Sequence, residues 1–275
     1  MKKVFGVFGD PVEHSLSPVM HNAAFSELGM DNVYHAFRIR KDSLKEALIG
    51  AGAMGFGGVN ITVPLKQEAL KIVTADPLAA RIGAINTVDF EDKNKIWGYN
   101  TDGLGAKHAL SDAGVDIDGR KIMVLGAGGA ARAISFQFAN DGAELIIANR
   151  TENKAIELAE DVRSIGDARG TRISNLKELI ADSDILINTT TVGMHPYTDN
   201  TIVTGDQMHP ELVVFDIVYN PLETRLLKEA KSAGATSING LMMFVYQGAE
   251  AFKIWTGVYP PIETMKNAVM EELKG

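Results

Sequence analysis

Residues 121–131 constrain the fold of this chain more than any other stretch. Lys121-Ile-Met-Val-Leu125, suited to a buried strand, passes at once into Gly126-Ala-Gly128-Gly129-Ala-Ala131, then into an Ala/Ile/Phe-rich helical stretch and a second strand at 144–148. Strand, glycine turn, helix and strand in that order make G-x-G-x-x-A a dinucleotide-binding signature rather than a bare glycine turn. Gly126 would make the tight turn, Gly128 would let the backbone approach a pyrophosphate, and Ala131 would let helix and strand pack closely. Backbone N–H groups and the positive end of the helix dipole then hold the phosphates, with Ala127, Gly129 and Ala130 completing the loop. A tightly packed turn with no ligand is the alternative, and the second strand about twenty residues on argues against it.

The end of that second strand selects the cofactor. An NAD site normally carries Asp or Glu there for the ribose 2′-hydroxyl, but here Leu145-Ile-Ile-Ala148 runs into Asn149-Arg150-Thr151, with Lys154 one turn later. Arg150 can stack on adenine and grip a 2′-phosphate bidentately, Thr151 and Asn149 can donate hydrogen bonds, and Lys154 adds a point charge. NADP is favoured over NAD. A merely solvated basic helix start is the poorer reading, because cations are disfavoured at that end of the dipole.

Around this unit the chain keeps an α/β rhythm. Apolar runs at Val4–Phe8, Tyr34–Ile39, Val59–Val63, Ile122–Leu125, Leu145–Ala148, Ile185–Ile187 and Val213–Phe215 alternate with helical patterns such as Asp42–Ala51 and Lys154–Val162. That alternation predicts parallel α/β architecture. Polar clusters inside apolar context crowd the first hundred residues, whereas 120–240 reads as a regular repeat. The spacing predicts two domains, residues 1–101 and 102–241, with helices at 242–257 and 261–273 folding back so that 242–275 packs on the first.

Composition excludes several function classes. The chain has 275 residues and no cysteine, so thiol catalysis, disulfides and thiolate metal sites are ruled out, and no metal-ligand pattern stands out among its histidines. A net charge of −8 leaves no broad electrostatic footprint for nucleic acid. Met1-Lys2-Lys3 followed by Val4 to Gly9 imitates a signal peptide but stops at Asp10-Pro11 without a cleavage site, and no apolar run approaches the ~18 residues of a membrane span. The expectation is a soluble, cytoplasmic protein with no membrane partner. Glycine, at 27 residues, is the one excess, and its clustering at Gly83, Gly103, Gly126, Gly128, Gly129, Gly193 and Gly240 suggests backbone approach to ligands.

A second polar cluster lies in the first half. In Gly9-Asp-Pro-Val-Glu-His14-Ser15-Leu-Ser17-Pro18, two hydroxyls stand two residues apart in a segment that Pro18 biases to extended structure, an arrangement suited to a carboxylate. A helix N-cap with proline at the first helical position is the plainer reading, and the two can coexist. His14 and His21 read as structural. Gly58-Val-Asn60-Ile-Thr62-Val-Pro64-Leu-Lys66 puts two polar residues on one strand face and delivers Lys66 to a helix start. The positive helix end eases loss of its proton and a nearby carboxylate opposes it, which together suit a proton shuttle. Asp102, in Gly98-Tyr-Asn100-Thr101-Asp102-Gly103, is the candidate carboxylate, and Gly83-Ala-Ile-Asn86-Thr87 places another amide in apolar context.

With these motifs assembled, the chain closely resembles the shikimate dehydrogenase family over nearly its whole length. Asn188-Thr-Thr-Thr-Val-Gly193-Met194, Asp216-Ile-Val-Tyr219-Asn-Pro221 and Gly240 through Gln247 join the segments above in the family's order. The resemblance implies an N-terminal α/β substrate domain, a Rossmann NADP domain, and reversible NADPH-dependent reduction of 3-dehydroshikimate to shikimate. It further implies that Ser15, Ser17 and Tyr219 hold the substrate carboxylate. Thr62, Lys66, Asn86, Asp102 and Gln247 would surround the ring hydroxyls, and Ile217, Gly240 and the 188–194 stretch would line the nicotinamide side. Thr189 to Thr191 is more threonine-rich than the family's usual version. An acidic cofactor contact of some members falls at Pro77, beside Asp76, and is not carried over.

Lys66 is the expected proton donor and Asp102 the group that holds it and hydrogen-bonds the substrate. A quinate/shikimate dehydrogenase using NAD, a non-catalytic pathway sensor on the same scaffold, and a lysine-dependent folate-pathway dehydrogenase are the competing readings. The missing acid after strand two, the intact Lys66 and Asp102, and the Ser15/Ser17 pair argue against them in turn. Oligomeric state is not encoded in any motif, and a homodimer is left open.

Overall fold

The computed structural model describes residues 2–92, 95–174 and 176–274. The chain divides into two compact units, Met1–Asp102 with Val245–Gly275, and Gly103–Phe244.

The first unit contains strands β1 (Val4–Gly9), β2 (Val33–Arg38), β3 (Gly58–Ile61), β4 (Thr74–Ala75), β5 (Thr87–Asp89) and β6 (Trp97–Tyr99). The helices of its first segment are α1 (Ser17–Glu27), α2 (Leu44–Ala53), α3 (Lys66–Leu70) and α4 (Pro77–Ile82), and α5 (Asp102–Asp112) begins at the last residue of that segment. The six strands form one sheet in the order β2-β1-β3-β5-β6-β4. The parallel α/β rhythm describes β1, β2 and β3, whereas β5 runs antiparallel to both β3 and β6, so this sheet is mixed. β5 and β6 are three-residue strands, and β5 carries polar residues, so neither forms the apolar run by which a buried parallel strand is recognised.

The pleat of β3 explains how this sheet holds a site. Val59 and Ile61 enter an apolar core with Leu44 and Leu48 of α2, so Gly58 and Asn60 must face the other way. On that second face a Cβ at Gly58 would lie 2.1 Å from the Trp255 indole nitrogen, and the same indole donates to the Val88 carbonyl at 3.0 Å. Trp255 belongs to α10 (Leu241–Thr256), and α11 (Ile262–Glu272) contacts α1. The C-terminal helices therefore do return to the first unit.

The second unit follows the repeat β7 (Lys121–Leu125), α6 (Gly129–Asn140), β8 (Glu144–Asn149), α7 (Glu152–Val162), β9 (Ala168–Arg172), α8 (Leu176–Ala181) and β10 (Ile185–Asn188). It continues through β11 (Val213–Asp216), α9 (Arg225–Ser232) and β12 (Thr236–Ile238). All six strands are parallel, ordered β12-β11-β10-β7-β8-β9. From the β9 edge this is the third, second, first, fourth, fifth and sixth strand of the unit, the Rossmann order, whose ligand crevice opens where the order reverses, between β7 and β10.

Asp102, placed above with the second domain, lies in the first unit, because its carboxylate is bonded to Lys66 and Asn86 there. Met242 to Phe244 fall in the second unit rather than with the returning helices. No helix among the described residues is long and apolar enough to cross a membrane.

Candidate active site

Lys66 is the first residue of α3, and its Nζ lies 2.5 Å from Asp102 Oδ2. The two side chains are 26% and 11% exposed, so the lysine head keeps access to a ligand while the carboxylate is mostly removed from water. Asp102 Oδ1 accepts from Asn86 Nδ2 at 2.7 Å. The Asn86 side-chain carbonyl in turn accepts the Thr101 N–H at 2.8 Å, and the Thr101 hydroxyl donates to the Gln247 main-chain carbonyl at 2.9 Å. Asn86 and Asp102 thus have one arrangement that satisfies every bond, which is how a buried polar network fixes geometry.

Beneath this pair lies a layer in which Asn60 and Asn86 stand out in the sequence and Tyr34 does not. The Tyr34 hydroxyl donates to Asn60 Oδ1 at 2.7 Å, and Asn60 Nδ2 donates to the Asn86 carbonyl at 3.1 Å and to Thr87 Oγ1 at 3.2 Å. Tyr34 is fully buried, and burial pushes its hydroxyl well above the usual tyrosine range, with a hydrogen bond to Ser17 acting the other way. A tyrosine inside an apolar strand reads as core; only the rule that a buried hydroxyl finds a partner points to more.

Ser15 and Ser17 sit near the start of α1, but not in the expected extended form. Leu16 between them is helical at φ −85° and ψ −2°, and occupies the cap position without a side-chain bond. Ser15 Oγ accepts the Ser17 N–H at 3.3 Å instead, so neither the extended segment nor the predicted serine N-cap is found. Thr62 lies just past β3, its N–H bonded to the Phe8 carbonyl at 2.9 Å. Asp76, set aside above, caps α4 by accepting the Ala79 N–H at 2.9 Å.

His21 is stacked nearly parallel to Tyr34, at 4.4 Å, and to Phe252, at 6.2 Å, with both ring nitrogens buried and unpartnered among the described residues. Burial lowers its imidazole to about 3, so the ring is neutral. Among the described residues no group of three or more His, Asp or Glu side chains could hold a metal ion.

In the second unit the glycine loop stands at the β7/β10 reversal. Gly126 adopts φ +115°, and a Cβ there would lie 2.6 Å from Thr189 Oγ1, so both backbone and space demand glycine. Gly128 caps α6, Gly129 begins it, and a Cβ at either would meet nothing within 4 Å. Ala127 and Ala130 are half-buried beside them, and Ala131 is fully buried. Open space at the start of a twelve-residue helix fits a pyrophosphate. Past β8, Arg150, Thr151 and Lys154 are exposed around the start of α7, and Asn149 Nδ2 donates to the Thr151 carbonyl at 3.0 Å. Neither Arg150 nor Lys154 has an ion pair among the described residues. These residues fit a dinucleotide carrying a 2′-phosphate.

The residues expected at the nicotinamide side are brought together. Gly240 N–H bonds the Val218 carbonyl, and a Cβ at Gly240 would lie 2.0 Å from the Ile217 carbonyl oxygen. Thr189 and Thr190 spend their hydroxyls on Leu125 O and Asn188 Oδ1, which accounts for two of the extra threonines as loop fasteners. Asp216, fully buried, accepts from Asn188 Nδ2 at 2.9 Å, Val218 N–H at 3.1 Å and Thr224 Oγ1 at 2.6 Å. Desolvation raises its carboxyl and these three bonds oppose the rise. Tyr219 follows, stacked on Phe244 at 4.9 Å, its hydroxyl raised by burial. Not all the glycine excess serves ligands: a Cβ at Gly103 would lie 2.6 Å from the Ala133 carbonyl of α6, so that glycine serves helix packing.

Comparison with known proteins covers most of the chain. Residues 7–88 match the shikimate dehydrogenase substrate binding domain, residues 107–229 the shikimate/quinate 5-dehydrogenase family, and residues 240–270 the shikimate 5′-dehydrogenase C-terminal domain. The chain is 64% identical to a shikimate dehydrogenase (NADP(+)) of Methanosarcina acetivorans, covering 100% of both chains. Among solved structures it is similar to a shikimate dehydrogenase in complex with NADP+, at 45% identity and a TM-score of 0.93, covering 99% of this chain and 96% of that one. It is also similar to the Thermus thermophilus shikimate 5-dehydrogenase in complex with NADP(H) and shikimate, at 37% identity and a TM-score of 0.89, covering 98% and 99%.

Proposed function

The chain belongs to the shikimate dehydrogenase family, and on that premise we propose that Lys66 and Asp102 carry the proton half of its reaction. That reaction is the reversible NADP-dependent reduction of 3-dehydroshikimate to shikimate in aromatic amino-acid biosynthesis, and the chain binds shikimate and NADP. When bound, NADPH supplies the hydride that adds to the carbonyl carbon.

The observation that carries the proposal is the 2.5 Å contact of Lys66 Nζ with Asp102 Oδ2. In the reducing direction the Lys66 ammonium gives a proton to the carbonyl oxygen as it becomes an alkoxide, and the amine left behind regains one from solvent. In the oxidising direction the amine takes the hydroxyl proton. Positive charge beside the developing alkoxide is commonly worth a few kcal/mol, and general acid catalysis typically contributes about 10²–10⁴-fold. Asp102 holds the ammonium in place and accepts a hydrogen bond from a substrate hydroxyl.

The remaining assignments follow the chemistry of each group. Thr62, Asn86 and Gln247 take the ring hydroxyls, and Ser15, Ser17 and Tyr219 take the substrate carboxylate. Gly126 to Ala130 hold the pyrophosphate, Asn149, Arg150, Thr151 and Lys154 the 2′-phosphate, and Ile217 and Gly240 the nicotinamide side. Absorbance of NADPH formed from shikimate and NADP, against quinate and NAD controls, tests the whole reading. Turnover that is fastest with shikimate and NADP supports it; quinate with NAD being preferred, or tight shikimate binding without turnover, contradicts it.

A further inference from the structure

We propose that Arg172 is a third cation of the 2′-phosphate site and a determinant of the preference for NADP over NAD. This rests on the assignment of Arg150, Thr151 and Lys154 to that phosphate.

Arg172 reaches the place through strand pairing. β8 and β9 stay in register to their last residues, with Asn149 opposite Arg172, and the Ile173 N–H bonds the Asn149 carbonyl at 3.3 Å. Paired residues on neighbouring strands stand about 4.8 Å apart with side chains on the same face. Arg172 therefore starts beside the residue that leads into Arg150.

Helix α7 fixes which face that is. A Cβ at Gly170 would lie 2.4 Å from the Ala155 backbone, so Gly170 faces α7, and Arg172, two residues on, shares that face. Those two residues advance about 6.6 Å toward the carboxyl end of the strand. The crossover helix runs the opposite way, and the same distance is about four residues back along it from Ala155. Arg172 thus emerges level with Thr151.

Its side chain is left without a carboxylate. Several exposed arginines hold one, Arg38 with Asp10, Arg120 with Asp184 and Arg225 with Glu229, whereas Arg169 on the opposite face of β9 holds none among the described residues, so it is the place of Arg172 beside Arg150 and Lys154 that distinguishes it. Arg172, like Arg150 and Lys154, is exposed and has no hydrogen bond or ion pair from its side chain among the described residues. Glu152, in the first turn of α7, is also exposed and pairs with none of them among the described residues. Three unpaired cations gathered at a helix N-terminus oppose the dipole unless an anion joins them. A dianionic phosphate monoester, with three free oxygens, accepts a second planar guanidinium fork beside Arg150 and the Lys154 ammonium.

The test compares Arg172→Ala with Arg169→Ala, which removes the same charge from the opposite face of β9, and with Arg150→Ala. Calorimetry with adenosine 2′,5′-bisphosphate and adenosine 5′-monophosphate reads the site without turnover, and kcat/KM for NADP and NAD reads discrimination. In Arg172→Ala we expect bisphosphate affinity and the NADP/NAD ratio each to fall about tenfold, monophosphate affinity to stay within about twofold, and Arg169→Ala to change neither. Equal loss for both probes, no loss, or the same loss in Arg169→Ala overturns the proposal. Bisphosphate binding that Arg150→Ala leaves intact but Arg172→Ala weakens would instead remove the Arg150 assignment and keep Arg172.

Discussion

Asn86 donates from Nδ2 to Asp102 Oδ1 at 2.7 Å, leaving Oδ2 to Lys66 at 2.5 Å. One carboxylate is therefore gripped on both oxygens, and the amide decides where the lysine head is held. Replacing Asn86 with alanine removes that grip and leaves the Thr101 N–H, now bonded to the amide oxygen, without its partner. Loss of such bonds is worth about 1–3 kcal/mol, so kcat should fall roughly tenfold to a hundredfold, with a rise in shikimate KM. Steady-state kinetics of the variant check this, and unchanged kcat would mean that Asp102 needs no orientation.

Tyr34 supports the same framework from below. In Tyr34→Phe the Asn60 side-chain carbonyl loses its buried 2.7 Å donor. Unfolding in urea should show a loss of about 1–3 kcal/mol. Both tryptophans, Trp97 and Trp255, lie in the first unit, so their fluorescence reports on that unit alone.

His21 gives the first unit a pH dependence. Burial lowers its imidazole to about 3, against an unfolded value near 6.5. Between these values the unfolded chain binds a proton that the folded one does not. Its contribution to stability is therefore intact above about pH 6.5 and drains as pH falls, at up to about 1.4 kcal/mol per pH unit. Urea midpoints followed by tryptophan fluorescence at pH 7.5 and 5.5 should differ in the parent, and the difference should shrink in His21→Leu. The same difference in both proteins would show that other groups set the dependence.

Gly240 and Ile217 test the nicotinamide side. An alanine at 240 would put its Cβ 2.0 Å from the Ile217 carbonyl oxygen, and that contact is with backbone, which cannot rotate away. Overpacking of this kind costs about 1–3 kcal/mol, enough to raise KM for NADP roughly tenfold in Gly240→Ala while leaving the shikimate KM nearly as it was. A shikimate KM that rises as much as that for NADP would separate Gly240 from the cofactor.

What the sequence could show follows from how each feature is held. The long parallel strands were legible because burial on both faces makes them continuous apolar runs, as at Ile122–Leu125 and Ile185–Ile187. The strands that were missed are edges or very short: β4 is two residues, β12 is Thr-Ser-Ile, and β9, Ala-Arg-Gly-Thr-Arg, has no apolar alternation. Edge strands are commonly short and polar, which hides them from a hydrophobic pattern. The glycine loop and Lys66 at a helix start were visible because their roles are local. Tyr34 and Asp216 were not assigned their places, because their partners lie 26 and 28 residues away, at Asn60 and Asn188. The serine pair was misread for the reverse reason: local proline bias suggested extension, but helix α1 starts early enough to take in Leu16's backbone conformation.

The most direct test of the proton role is Lys66→Met, which keeps much of the side chain's bulk and removes the ammonium. The pair with Asp102 predicts that kcat falls about 10²–10⁴-fold while the shikimate Kd, read by tryptophan fluorescence, changes less than about tenfold. A kcat within about threefold of the parent would contradict the assignment of Lys66 as the proton donor.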